Sequence, residues 1–172
     1  MRRDAVIVCG MQRAYFHKSG SMYFGDKSEI LKIRLQDFLR EKNSSGAAIF
    51  FIREVHQVND KFFQNTKTYG LVGTEDIKIP EVFKPFAKLV INTARYSGFY
   101  RTALDSELNK IQPYKVHLVG METHTTVLFT AEDLKNRDYD VVVHEPLVCS
   151  EDDFMHSLGI NILSNVLSVE IR

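Results

Sequence analysis

The stretch GMETHTTVLFTA, Gly120 to Ala131, follows the apolar run Val116–Val119 and leads into residues of helical period, so a strand ends and a helix begins within it. Thr123, Thr125 and Thr126 cluster at that junction. In an open parallel α/β sheet, ligands bind outside the carboxyl ends of the strands, where amide N–H groups at a helix start can hold negative charge. The junction therefore reads as a functional turn, with Thr126 where a hydrolase would carry its nucleophile. A threonine hydroxyl is a weak nucleophile at neutral pH unless a base adjoins it, and no obvious activator stands beside this one.

Outward from this turn, short apolar runs alternate with segments of helical period, the pattern of βαβ units. Ala5–Val8, Ala47–Ile52, Lys88–Ile91, Val116–Val119 and Val141–Val143 are apolar on both faces, as strands covered on both sides should be. Val166–Ile171 is a weaker sixth strand. Leu31, Leu35, Phe38 and Leu39 share one face of a helix over Ser28–Glu41, which Ser44-Ser45-Gly46 ends. Leu104, Leu108 and Ile111 mark a second helix, and Val127, Thr130, Ala131 and Leu134 a third, with Lys135 and Arg137 at its carboxyl end. A fourth covers Glu151–Leu158. The expected fold is a three-layer α/β/α sandwich on a mostly parallel, six-stranded, Rossmann-like sheet, with residues 1–172 as one domain.

Lysine plus arginine equal aspartate plus glutamate, 22 of each, so net charge gives no support to a nucleic-acid or anionic-membrane partner. The run Ala5–Cys9 is too short for a signal peptide, and no segment approaches a transmembrane length. Cys9 and Cys149 are the only cysteines, which suits a reducing, cytoplasmic setting. There is no phosphate-binding glycine loop, serine nucleophile elbow or paired-cysteine zinc motif, and no cofactor is expected. The excursion Arg53–Pro85, with His56, Tyr69, Gly70 and Gly73, is long for a compact domain. It reads as a wall or lid over the carboxyl edge of the sheet, or as packing for a subunit interface.

GMQRAYF at Gly10–Phe16, ARYSGFYRTALDSEL at Ala94–Leu108 and GMETHTTVLFTAEDL at Gly120–Leu134 resemble, in order and separation, the three signature blocks of the isochorismatase-like cysteine hydrolases, a group that includes nicotinamidases. The resemblance runs from about Asp4 to the C-terminus. It implies an aspartate, a lysine and a cysteine acting together: a proton carrier, a cation favouring the thiolate, and a nucleophile whose oxyanion is held by backbone N–H groups. Position by position these fall on Gly10, Thr93 and Thr126, so all three functional groups are absent. The resemblance also implies a non-proline cis peptide between Met121 and Glu122, with the backbone donors around Glu122 and Thr126 forming a nest for a small anion.

Nothing nearby restores the triad. Strand alternation turns Cys9 away from the aspartate position, as a small core residue, and Cys149 lies beyond the fifth strand. His124 is the only ionisable neighbour of Thr126 in sequence, and the threonines also suit helix capping. Nicotinamidases of this family hold a metal after strand two; here that region supplies only Glu54 and His56, short of the usual three ligands, so no metal is expected and His56 reads as a pocket-wall hydrogen bonder. His17, His117, His144 and His156 show no ligand-like spacing. Glu122, His124, Arg95, Tyr96 and His56 are the candidate binding residues. Two readings follow: a non-catalytic member that binds a small molecule or serves as an oligomer component, and an active hydrolase of a small amide or isochorismate-like substrate using Thr126. The resemblance also implies a homo-oligomer.

Overall fold

The computed structural model describes residues 3–63 and 67–172, so Gln64, Asn65 and Thr66 of the Arg53–Pro85 excursion lie outside the described residues, as do Met1 and Arg2. Six strands, β1 (Ala5–Cys9), β2 (Ala48–Glu54), β3 (Leu89–Thr93), β4 (Val116–Met121), β5 (Val141–Cys149) and β6 (Glu170–Ile171), form one sheet in the order β3-β2-β1-β4-β5-β6. Every pairing is parallel. Five α-helices accompany them among the described residues: α1 (Arg13–Phe16), α2 (Asp26–Ser44), α3 (Leu104–Ile111), α4 (Leu128–Lys135) and α5 (Asp153–Asn165).

Alternation along β1 decides the layers. Ala5, Ile7 and Cys9 join a core with Leu104, Leu108, Leu128, Ala131 and Leu163 of α3, α4 and α5. Val6 and Val8 join a second core with Leu31, Leu35 and Leu39 of α2. Both sides of this central strand are covered, so all five of its residues are buried. Edge strand β3 instead exposes Asn92 between buried Ile91 and Thr93. No helix among the described residues is long and apolar enough to cross a membrane.

Several elements differ from the sequence reading: α1 was not expected, and the sixth strand covers only Glu170–Ile171 of Val166–Ile171 because Val166 closes the preceding helix. β5 runs on past Val143 to Cys149, so Cys149 ends a strand, paired with Met121, rather than lying in a loop beyond it. The prolonged half contains Pro146 and a register shift, and β6 pairs only with Val142 and Val143, which leaves an edge where a missing N–H is tolerated. α5 continues to Asn165, well past Leu158, with Asp152 capping its start by accepting the Met155 N–H at 2.8 Å. Gly159 belongs inside that helix because it is where α5 meets the turn after β4: a Cβ there would lie 3.0 Å from His124 Cα.

β1 and β4 also pair Cys9 with Gly120, whose φ of +107 and contact with the Cys9 backbone leave no room for a side chain. The close approach sets the turn after β4 beside the end of β1. Among its described residues the excursion after β2 holds three short 3-10 turns, Lys61–Phe63, Glu75–Ile77 and Glu81–Phe86, and returns a bridge from His56 to Leu71.

Candidate functional site

Glu54, the last residue of β2, is the centre of the carboxyl edge. Alternation places it on the face of Phe50 and Ile52, and it is 1% exposed. The Thr126 hydroxyl donates to one carboxyl oxygen and the Tyr69 hydroxyl to the other. Its amide donates to Gln12 Oε1 at 2.6 Å, and it pairs across the sheet with Thr93. Burial pushes the Glu54 carboxyl up to about 7, against the opposing pull of the two hydroxyl donors. Thr126, Thr93 and Tyr69 are themselves buried, Thr126 completely.

Of the three positions singled out in the sequence, Thr126 bonds this carboxyl group by its side chain and Thr93 pairs with Glu54 through the backbone, while Gly10 lies against Met121. Gly10 has φ +60, and a Cβ on it would lie 2.5 Å from the Met121 carbonyl oxygen, so the backbone there has no place for an aspartate. The Thr93 hydroxyl faces the Ser97 and Arg95 carbonyl oxygens at 2.9 and 3.1 Å and holds the following turn. Sequence reasoning weighed Glu54 only as a metal ligand and missed it as the partner of Thr126. Its parity with Phe50 and Ile52 was the available signal, but the meeting with Thr126 joins residues far apart in the chain.

The peptide joining Met121 to Glu122 is cis. Thr123–Val127 then forms a π turn ahead of α4, and the Thr125 and Val127 amides both donate to the Glu122 carbonyl, at 3.3 and 3.0 Å. Those two amides are thus engaged within the turn. The threonines do not cap the helix. Thr123 bonds His156 Nδ1 at 2.9 Å, Thr125 bonds a Glu122 carboxyl oxygen at 3.2 Å, and Thr126 reaches Glu54. For Thr123 and Thr126 partners across the fold outcompeted the local cap, while Thr125 took a carboxylate of its own turn. Burial raises the Glu122 carboxyl above its ordinary range.

His124 bonds Ser150 Oγ at 2.9 Å rather than Thr126, and burial lowers its basicity. Cys9 is fully buried, its Sγ 3.9 Å from the Thr126 carbonyl oxygen, and burial holds its thiol well above its ordinary value. Burial pushes the Cys149 thiol up to about 11. Neither cysteine has thiolate character at neutral pH.

The excursion supplies an aromatic wall. His56 stacks on Phe62 at 5.1 Å and meets Phe63 and Tyr69 edge-on. Tyr96 stacks on Phe129 and meets Phe62. Arg95 pairs with Asp60 at 2.9 Å and lies over the Phe62 and Tyr100 rings. The nicotinamidase-type metal does not fit these residues: both Glu54 oxygens are engaged, His56 Nδ1 lies 3.5 Å from Asp60, and no group of three suitable ligands occurs among the described residues. Away from this edge, His117 and His144, which sequence spacing did not connect, share a hydrogen bond of 2.9 Å, with Asp4 3.1 Å from His117.

Comparison with known proteins agrees with this scaffold. A family model described as the isochorismatase domain matches residues 4–170. An uncharacterized isochorismatase family protein of Bacillus subtilis (strain 168) is 21% identical, with 98% of each chain covered. The crystal structure of a pyrazinamidase/nicotinamidase from Streptococcus mutans UA159 superposes with a TM-score of 0.88 at 24% identity, covering 98% of this chain and 99% of that one. An N-carbamoylsarcosine amidase from Thermoplasma acidophilum gives 0.88 at 21% identity, covering 99% and 95%.

Proposed function

The chain belongs to the isochorismatase family, and from that premise we propose that it is a non-catalytic member, a small-molecule binder or oligomer component built on a hydrolase scaffold. One observation carries the reading: the side chain at the nucleophile position, Thr126, is fully buried and its hydroxyl is committed to Glu54. Gly10 offers no acid and Thr93 no cation, so a thiol-type attack lacks nucleophile, proton carrier and electrostatic support together. Exposed Phe129 on α4 and Phe154 on α5 suit contact with further copies.

One feature favours the alternative, a hydrolase that attacks through Thr126. A carboxyl poised near 7 and hydrogen-bonded to a hydroxyl is a base beside a nucleophile. Burial weighs against it: Glu54 and Thr126 are closed off from solvent, and the second Glu54 oxygen is taken by Tyr69. Purified protein incubated with nicotinamide, pyrazinamide, N-carbamoylsarcosine and isochorismate should show no turnover above the uncatalysed rate. Turnover that Thr126→Val abolishes would overturn the proposal.

A further inference from the structure

We propose that the cleft beside the carboxyl ends of β2 and β3 binds a small molecule by its carboxylate or phosphate group, gripped by Arg101 and steadied by Arg95. The inference deepens the reading above and rests on it in one respect: the ligand is held and not turned over.

The cleft has a volume of about 370 Å³ and is bordered by Asp60, Asn92, Thr93, Arg95, Tyr100 and Arg101. That is room for a small metabolite. Its polar groups are mostly donors. Asp60, the carboxylate on its rim, is already satisfied by Arg95 at 2.9 Å and by the Phe62 amide at 3.0 Å. Two guanidinium groups against this one carboxylate leave an excess of positive charge. The Asn92 carboxamide oxygen accepts from Arg53 at 2.6 Å, which leaves its NH2 group as a donor. Thr93 is turned onto the Arg95–Ser97 turn and contributes no acceptor of consequence. A surface richer in donors than in acceptors selects a ligand rich in acceptors, and a planar guanidinium fork matches an oxyanion best.

Arg101 is also pre-organised. Its guanidinium lies 5.4 Å from the Tyr100 ring centroid, and that of Arg95 lies the same distance from the same ring. One half-exposed aromatic therefore positions both cations. Arg101 has φ +52, in the left-handed region that residues with a Cβ seldom adopt. Among the described residues no carboxylate comes within ion-pair distance of it, whereas Arg95 is paired. The strained backbone presents an uncompensated cation at the rim of a cleft, an outlier of the kind that marks ligand clamps.

Backbone amide NMR titrations of the full chain with inorganic phosphate and with benzoate, at constant low ionic strength, test this. The expected result is saturable shifts at Asn92–Arg101 with at least one probe; phosphate alone would indicate phosphate esters and benzoate alone carboxylates. Arg101→Gln should weaken binding by about tenfold or more, and Arg101→Lys by less, because it keeps the charge and loses the fork. Arg34→Gln, which removes a guanidinium elsewhere on the surface, should leave the affinity unchanged. Equal affinity in Arg101→Gln, or shifts that never saturate, would overturn the site and leave the non-catalytic reading intact. Hydrolysis of an amide or ester that binds in this cleft would do the reverse.

Discussion

Replacing Glu54 by glutamine should stabilise the protein in alkaline solution and flatten one component of its pH dependence. Glutamine keeps the shape, and its oxygen and NH2 group can still pair with the Thr126 and Tyr69 hydroxyls. What it removes is a carboxyl whose value rises from 4.5 in the free chain to about 7 in the fold, principally through burial. A raised value means that the folded state holds the proton more tightly than the unfolded state. The wild-type contribution is complete below 4.5 and is lost as pH rises through about 7. At about 1.36 kcal/mol per pH unit the gap sets a ceiling of about 3 kcal/mol, of which about 2 kcal/mol falls between pH 5 and pH 8. His56, His117, His124 and His144 complicate a single curve, because burial depresses each of them, and their stability is lost in the opposite sense as pH falls. They are common to both proteins and cancel in the difference. Urea unfolding of wild type and Glu54→Gln, followed by circular dichroism at pH 5 and pH 8, should show the variant gaining about 2 kcal/mol relative to wild type over that interval. A difference that stays constant with pH, or that grows toward acid, refutes a buried titrating carboxyl at this position.

Installing the family triad by Gly10→Asp, Thr93→Lys and Thr126→Cys should not create a reactive thiol, because a Cβ on Gly10 meets the Met121 carbonyl and the new sulfur would lie beside Glu54. Iodoacetamide should alkylate it at pH 7 no faster than a free cysteine, and a faster rate would show that the geometry for thiol chemistry persists. Gly159→Ala should destabilise by about 1 kcal/mol, since crowding against the His124 backbone, worth about 1–3 kcal/mol, outweighs a helix-propensity gain of about 1 kcal/mol. A higher urea midpoint in that variant would count against a tight α5 contact. His144, held down to about 4 by burial and by the charges of His117, Lys42 and Arg172, contributes stability that is complete above 6.5 and lost as pH falls toward 4. His144→Gln should therefore lessen the loss of thermal stability between pH 7 and pH 4.5; an unchanged acid limb would exclude that pair as its source.

The strands and the principal helices were legible because apolar period is a local property: β1 is buried on both faces and is apolar in every residue. Element ends were less legible. α5 crosses Gly159 because of a contact with His124, and β5 crosses Pro146 because its far half is an edge, and neither neighbour is visible in the segment itself. The threonines of the turn illustrate the same limit. Their composition suits capping, yet Thr123 and Thr126 found partners in the tertiary structure, His156 and Glu54.

By itself, the sequence determined the α/β architecture, the family signature and the absence of acid, cation and thiol at Gly10, Thr93 and Thr126, since these depend on residue identity and spacing along one chain. Only the tertiary structure decided what surrounds Thr126. Glu54 and Tyr69 come from β2 and the excursion after it, Thr126 from the turn after β4, and they meet because parallel strands deliver their carboxyl ends to one edge of the sheet. Whether a buried hydroxyl is a nucleophile or part of a sealed polar core depends on which groups surround it in space, and at Thr126 those groups lie far from it in the chain.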